Sequence, residues 1–324
     1  MQDGAILVGD AGGTNVRFAL ARVSGGQAAL SDVWKRAGAD FETFEAALDV
    51  YLAETKPDYA GASFGFAGVT GGPRVELLNR SWTVDLAAVR RRLSVDRLVA
   101  VNDFIAMARS APELAGDQLR QIAPGECDPK GSCAIGGPGT GFGVGLLRRV
   151  DAGWVVIGGE GGHQAFTPET DIEWKLAEKL RSQHGYVSNE MVAGGVGYED
   201  TRDALFGVMG MKPAPLSQAE TIDAAYAGNP VSLEFCRLRA RTVMTAMGNM
   251  ALVSNATGGV FIAGGVSQRL EPWLRERAAL DRFYKRGPRA ALMKPIPINL
   301  IVSEAAPLIG SAHLWRDEQL RGWL

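Results

Sequence analysis

The sequence predicts an α/β protein of two domains, and three observations carry that expectation. Short apolar runs alternate with helix-period stretches from end to end. A segment near the N-terminus, Leu7-Val-Gly-Asp-Ala-Gly-Gly-Thr-Asn-Val-Arg-Phe-Ala-Leu20, has a shorter echo at Ala134-Ile-Gly-Gly-Pro-Gly-Thr-Gly-Phe-Gly-Val-Gly-Leu-Leu147. The length, 324 residues, suits two domains and supplies enough apolar content for their cores.

The elements follow in chain order. Ile6–Val8 and Val16–Ala21 make the first hairpin, and Asp40 to Ala53 reads as a helix with Phe41, Phe44, Ala47, Leu48 and Tyr51 on one face. Ala60–Ala67 is a small-residue strand ending in a glycine-rich loop. Leu98–Val101 is a short buried strand, and Phe104–Ala111 starts a helix just after it. The echo at 134–147 forms a second hairpin, followed by strand Trp154–Ile157 and another glycine-rich loop. After Pro230 no proline interrupts the chain up to Asn255, and Cys236, Ala240, Val243, Met244, Met247, Met250 and Ala251 recur at helical spacing. That methionine-rich stripe reads as core packing rather than a cofactor box. Gly259–Val266 is a strand and a glycine turn, and Ile298–Val302 is a last strand before a terminal helix. No low-complexity linker separates the halves, so a close, hinged interface between the domains is expected.

Each of the two related segments reads as strand, tight turn, strand. Glycines in such a turn let backbone N–H groups wrap a phosphate with no Cβ in the way. Aligning Gly12 with Gly139 sets Asp10 opposite Gly137, so only the first copy carries a carboxylate. Two phosphate clips and one acid suit a nucleoside triphosphate with one metal ion; ordinary glycine-turn hairpins are the plainer alternative. A Walker A loop is excluded, because Lys130-Gly131-Ser132 has the wrong order. A Rossmann fingerprint needs a helix straight after its glycines, whereas Gly141-Phe-Gly-Val-Gly-Leu-Leu147 continues to alternate like a strand.

Composition narrows the partners. The net charge is -2 and neither sign forms long runs, which argues against nucleic acid and against an anionic membrane surface. No apolar stretch reaches membrane-span length, and Met1-Gln-Asp-Gly runs into a strand without the basic region of a signal peptide. Three cysteines cannot all pair within the chain, which suits a reducing cytoplasm. Cys127 and Cys133 lack a second Cys or His pair nearby, so no zinc site is expected.

Three loops after strands carry polar groups. Asn102-Asp103 follows Leu98–Val101; a carboxylate there can take a proton from a substrate hydroxyl, or either residue can cap the next helix. In Glu160-Gly-Gly-His163 two glycines let both side chains converge on a small ligand, against the alternative of a satisfied turn histidine. Ser188-Asn-Glu190 has the look of an N-cap with an acid in the first turn.

Taken in order and spacing, Asp10-Ala-Gly-Gly-Thr-Asn-Val-Arg17, Val101-Asn-Asp-Phe104, Gly136-Gly-Pro-Gly-Thr-Gly-Phe-Gly143, Gly159-Glu-Gly-Gly-His163, Val187-Ser-Asn-Glu190 and Ile262-Ala-Gly-Gly265 resemble the bacterial glucokinase family. Leu77-Leu-Asn-Arg-Ser-Trp82 and Ala306-Pro-Leu-Ile-Gly-Ser-Ala-His-Leu314 extend the resemblance over nearly the whole chain. Single motifs are shared with wider sugar kinases and actin-like ATPases; Glu-Gly-Gly-His followed by Ser-x-Glu is fairly specific to glucokinases.

The resemblance implies a two-domain actin/hexokinase-like (ribonuclease H-like) fold. Residues 1–111 would form the small N-terminal domain, joined by the C-terminal helix at about 304–324, and residues 112–303 the large one. It implies ATP-dependent phosphorylation of D-glucose at the 6-hydroxyl, with Asp103 as general base. Asn102, Glu160, His163 and Glu190 would grip the other hydroxyls, with Asn79 a further sugar contact. Gly9, Asp10, Ala11, Gly12, Gly13, Thr14 and Asn15 would line the phosphates with Gly139, Thr140 and Gly141; Gly264 and Gly265 would lie near the adenosine. Asp10 would orient Mg²⁺ through water. The expected site is the cleft between the domains, the expected partners are a sugar and ATP, and the expected assembly is a homodimer in the cytoplasm.

Two departures from the family pattern stand out. Ala11 replaces a branched residue, and Phe66-Ala-Gly-Val-Thr70 differs from the usual Ala-Gly-Pro-Val. The zinc-binding cysteine cluster of related repressor-kinases is absent from the sequence. The rival readings are a kinase for mannose, fructose or an N-acetylhexosamine, a non-catalytic sugar sensor, and an actin-like filament ATPase. A sugar-responsive transcription factor would need a helix-turn-helix ahead of the first strand, and Ile6 begins that strand too early for one.

Overall fold

In the computed structural model the residues described are 4–77, 80–151 and 153–321, with side chains described as far as Asp317 in the last helix. β1 (Ile6–Ala11) is buried along its whole length, as a nearly all-apolar run demands of a central strand. It pairs antiparallel with β2 (Asn15–Ser24), which turns into β3 (Gln27–Ala37). α1 (Phe44–Thr55) follows, and β4 (Gly61–Phe66) then returns parallel to β1. A small antiparallel sheet comes next, made of β5 (Gly68–Val69), β6 (Arg74–Leu77) and β7 (Thr83–Asp85). α2 (Leu86–Arg92), β8 (Leu98–Asn102) and α3 (Asp103–Ser110) complete this stretch. The main sheet runs β3-β2-β1-β4-β8.

The core of this sheet is aromatic. Phe18, Trp34, Phe44, Tyr51, Phe64 and Phe66 pack edge-on or tilted, with centroids 5.3 Å apart for Phe18–Tyr51 and 5.1 Å for Phe44–Phe66. Gly9 belongs to this packing, because a Cβ there would lie 2.8 Å from the Phe64 ring and 2.9 Å from Phe18. The helix expected from Asp40 begins at Phe44 instead: Asp40 sits in a 3₁₀ turn, and the Thr43 hydroxyl accepts from the Ala46 N–H at 3.1 Å. The face read from the sequence is kept, with Phe44, Ala47, Leu48 and Tyr51 buried.

A second sheet runs β12 (Gly153–Gly159), β11 (Phe142–Val150), β10 (Cys133–Pro138), β13 (Gly259–Ile262), β14 (Ile298–Ile301), β9 (Leu119–Ala123). Between its strands lie α4 (Asp171–His184), α5 (Asn189–Ala193), α6 (Tyr198–Val208), α7 (Gln218–Tyr226) and the long α8 (Pro230–Ser254). The short helices α9 (Gly265–Arg269), α10 (Glu271–Leu274), α11 (Arg277–Tyr284) and α12 (Ala290–Met293) precede β14. α8 is capped by Asn229, whose side chain accepts from the Ser232 N–H, and stops at Asn255 in the left-handed conformation, φ 48°. Its methionine stripe is core: Met244 and Met247 are fully buried, and Met247 Sδ would be 2.6 Å from a Cβ at Gly136.

The last helix, α13 (Ala306–Arg321), packs on α3, β1, β2 and β4. Two glycines make that approach possible, since a Cβ at Gly310 would meet Ala106 O and one at Gly61 the Trp315 ring. Arg109 of α3 and Asp317 of α13 are both buried and pair at 2.5 Å.

The chain divides into two units. One holds the residues up to Gly116, Leu147–Gly158 and those from Ser303 onward; the other holds Asp117–Leu146 and Gly159–Val302. The hairpin stretch Leu147–Gly158 thus groups with the N-terminal unit, which the boundaries read from sequence did not foresee. A Cβ at Gly153 would fall 2.3 Å from Asp317 Oδ1, so this stretch lies close against α13. Among the described residues no helix is long and apolar enough to cross a membrane.

Candidate active site

In the N-terminal unit the first clip is the turn between β1 and β2. The Gly12 N–H donates to Asn15 O at 3.1 Å, closing the turn, and Gly13 and Thr14 are exposed. Across the pair Asp10 faces Arg17, whose Nη1 donates to Asp10 Oδ2 at 2.7 Å. Burial pushes the Asp10 carboxyl up and the Arg17 charge opposes it. Gly9 and Ala11 are buried strand residues in this structure, and packing accounts for them.

The end of β8 carries the candidate base. Asn102 is the N-cap of α3: its Oδ1 accepts from the Phe104 N–H at 2.9 Å, and its Nδ2 donates to Gly68 O at 3.2 Å. Asp103 Oδ1 also accepts from the Phe104 N–H, at 2.9 Å. Capping is thus covered by Asn102 whatever Asp103 does. Gly65 opens the space beside it, since a Cβ there would lie 3.3 Å from Asp103 Cα. The same Gly65 is the register partner of Asp10. Desolvation first, and the charge of Asp10 second, push the Asp103 carboxyl up to about 6.

In the other unit the second clip joins β10 to β11, with the Gly139 N–H donating to Gly141 O at 2.9 Å. It rests on the segment after α5: the Gly195 N–H donates to Gly139 O at 3.0 Å and the Val196 N–H to Thr140 O at 2.8 Å. The turn after β13 packs on it, for a Cβ at Gly264 would meet Pro138 O at 2.3 Å and Gly139 N at 3.5 Å. By contrast a Cβ at Gly139 or Gly265 would touch nothing within 4 Å, and neither glycine has positive φ. Neither packing nor backbone strain within the chain explains these two glycines. Open space kept beside a glycine turn leaves room for a ligand to approach the backbone.

Glu160-Gly-Gly-His163 lies along β11. A Cβ at Gly162 would be 2.2 Å from Phe142 O and one at Gly161 2.9 Å from Val144, so the glycines serve close backbone approach. Glu160 and His163 remain exposed. Ser188 caps α5 by accepting from the Met191 N–H at 3.1 Å, which frees the carboxylate of Glu190 from capping. Glu190 Oε2 instead accepts from the Phe142 N–H at 2.7 Å, and Oε1 lies 3.4 Å from His163 Nε2. The second clip, His163 and Glu190 thus form one cluster. Asn79, the further sugar contact expected from sequence, lies outside the described residues.

Two arginines escaped the sequence reading. Arg17 was legible, because residues symmetric about the turn face each other in a hairpin. Arg80 Nη2 donates to Gly13 O at 3.0 Å and its guanidinium fills the space beside Gly38; no sequence pattern announces that long-range contact.

Among the described residues no three His, Cys, Asp or Glu side chains cluster to hold a metal. Asp10 offers a single carboxylate whose Oδ2 is held by Arg17. One hard oxygen donor completed by phosphate oxygens and water is the coordination Mg²⁺ favours, so the donor set fits the ion expected from sequence.

The fold defines a class, the two-domain actin-like ATPases. The family model described as Glucokinase matches residues 7–318. A glucokinase of Nitrobacter hamburgensis is 33% identical over 311 residues, covering 95% of this chain and 96% of the relative. One of Chromobacterium violaceum is 35% identical over 315 residues, covering 95% and 88%. The crystal structure of a glucokinase from an Antarctic psychrotroph superposes with a TM-score of 0.88 at 31% identity, covering 97% of this chain and 99% of that one. The chain belongs to the glucokinase family.

Proposed function

We propose that this chain phosphorylates the 6-hydroxyl of D-glucose with MgATP, giving glucose 6-phosphate and ADP. The observation that carries the reading is the juxtaposition of Asp103 with Asp10, the strand residue that leads into the first clip, both set against Gly65. A carboxyl pushed up to about 6 is ionised at neutral pH yet basic enough to take the hydroxyl proton as the bond to phosphorus forms. Asn102 fixes the start of α3 and so the direction of Asp103.

Phosphoryl transfer passes through a loose transition state, so this chain has mainly to position groups and neutralise charge. The turns Gly12–Asn15 and Gly139–Gly141, each closed by its own internal hydrogen bond, border the phosphates, and Gly264 and Gly265 border the adenosine. Asp10 would hold Mg²⁺ through water, and the ion supplies positive charge to the phosphate oxygens. Glu160, His163 and Glu190 hold the remaining hydroxyls; polar groups that go unpaired with a wrong sugar make the site selective. Three unpaired thiols accord with a reducing cytoplasm.

A coupled ADP-release assay across glucose, mannose, fructose and N-acetylglucosamine with Mg²⁺ tests the proposal. Glucose should give the highest kcat/KM. Absence of sugar-dependent ADP release from folded protein overturns the reading, and a higher value for another sugar reassigns the substrate.

A further inference from the structure

α8 buries Arg239 completely. Among the described residues no carboxylate pairs with it. Its Nε donates to Ala193 O at 3.0 Å, its Nη2 donates to the same oxygen, and its Nη1 has no partner among the described residues. The ring of Phe235 lies 5.4 Å from the guanidinium carbon. Burial lowers its pKa to about 10, so the group is still a cation at neutral pH.

An uncompensated buried charge is costly, and a neutral amide could satisfy one carbonyl with less desolvation. The choice of arginine therefore asks for a reason beyond the bond to Ala193. Ala193 ends α5, and the residues after it are laid along the second clip. Gly195 and Val196 donate to the carbonyls of Gly139 and Thr140 at 3.0 and 2.8 Å. A Cβ at Gly194 would come within 3.2 Å of Gly141 O, so the two backbones run in close contact. Whatever fixes Ala193 fixes the height and tilt of the turn that follows.

We propose that Arg239 is a positioning residue for the nucleotide's phosphates. It pins Ala193 and, through segment 193–196, holds Gly139–Gly141 in the shape that receives an anion. Its charge, unmatched by any carboxylate among the described residues, makes the ground behind that segment favourable to negative charge. The inference rests on the reading of the second clip as a phosphate site.

The test combines steady-state kinetics with calorimetric titration of MgADP into the intact chain, for Arg239→Met and Arg239→Lys. Methionine keeps the volume and removes both charge and donors. It should raise the KM for MgATP and the Kd for MgADP by about 10-fold or more, the scale of a lost charged hydrogen bond. The KM for glucose should rise clearly less than the KM for MgATP, because Glu190 is also held through Phe142. Lysine keeps the charge and one donor, so it should recover a substantial part of the MgADP affinity. Parallel shifts in both KM values, or unchanged values with a lowered melting temperature, overturn the proposal and leave Arg239 a structural group. If the methionine variant does not fold, the lysine variant decides alone. A selective rise in the KM for MgATP supports the positioning role; wild-type constants overturn it. A wild-type chain that binds no MgADP removes the kinase reading as well, whereas wild-type binding matched by both variants removes this inference alone.

Discussion

The carboxylate of Glu190 accepts a hydrogen bond from the main-chain N–H of Phe142 at 2.7 Å. Phe142 begins β11 just past the glycine turn at Gly139–Gly141, so one side chain ties that turn to the cluster that faces His163. Gly141 is part of the same arrangement, for a Cβ there would meet Glu190 Oε2 at 2.6 Å. A group with two such neighbours has a use that helix polarity alone does not explain.

Glu190→Gln should therefore raise the KM for glucose more than the KM for ATP, since an amide keeps the Phe142 bond but offers the sugar a weaker acceptor. Glu190→Ala should also lower the melting temperature, because an orphaned N–H costs about 1–3 kcal/mol. A charge acting only on its own helix would contribute about 0.3–1 kcal/mol and touch stability without KM. Kinetics with each substrate varied, beside a melting curve, separates these outcomes.

Asp103→Asn should lower kcat by at least ~10²-fold while altering sugar affinity much less, the scale expected for removal of a general base. Helix capping survives in Asn102, so loss of the cap does not confound the result. Near-normal turnover with a lowered melting temperature would return Asp103 to a capping role.

The pH dependence follows from the same group. The base works ionised, so wild-type kcat/KM should fall as pH drops through about 6. For stability the sign is opposite. A carboxyl raised in the folded state contributes stability below its ordinary value of 3.8 and loses it as pH rises through about 6. Above pH 6 the Asn variant should melt higher than wild type, and the gap should close below pH 4. Melting curves at several pH values check this.

The clip glycines should divide by role. Gly139→Ala adds a methyl into open space, so the fold should tolerate it while the KM for MgATP rises several-fold. Gly137→Ala would place a Cβ 2.0 Å from Ala263 O and should destabilise by about 1–3 kcal/mol, the usual cost of overpacking. Equal effects from both would mean that nothing occupies the space at Gly139.

Chelation of Mg²⁺ should abolish ADP release and added Mg²⁺ should restore it. A chelator selective for zinc should leave turnover unchanged. Metal analysis showing one zinc per chain would contradict the reading of the three cysteines.

What the sequence determined by itself is local: which residues alternate as strands and where glycine turns interrupt them. The hairpins at Asp10–Arg17 and Gly136–Gly143, the strand end at Asn102-Asp103 and the core stripe of α8 need only neighbours along the chain. The capping boxes Thr170–Glu173 and Ser217–Glu220 are equally local signals and mark the starts of α4 and α7. Other features needed the third dimension. Asp103 acquires its raised pKa from burial beside β4 and from Asp10, some ninety positions away, and Gly9 owes its identity to rings on β2 and β4. Arg80 and Arg239 reach carbonyls far along the chain. Periodicity reports which face a residue takes, but it holds no record of which distant atom will meet that face. Burial, register and close approach are set only when the sheets and helices pack, and those three decide what each polar group can do.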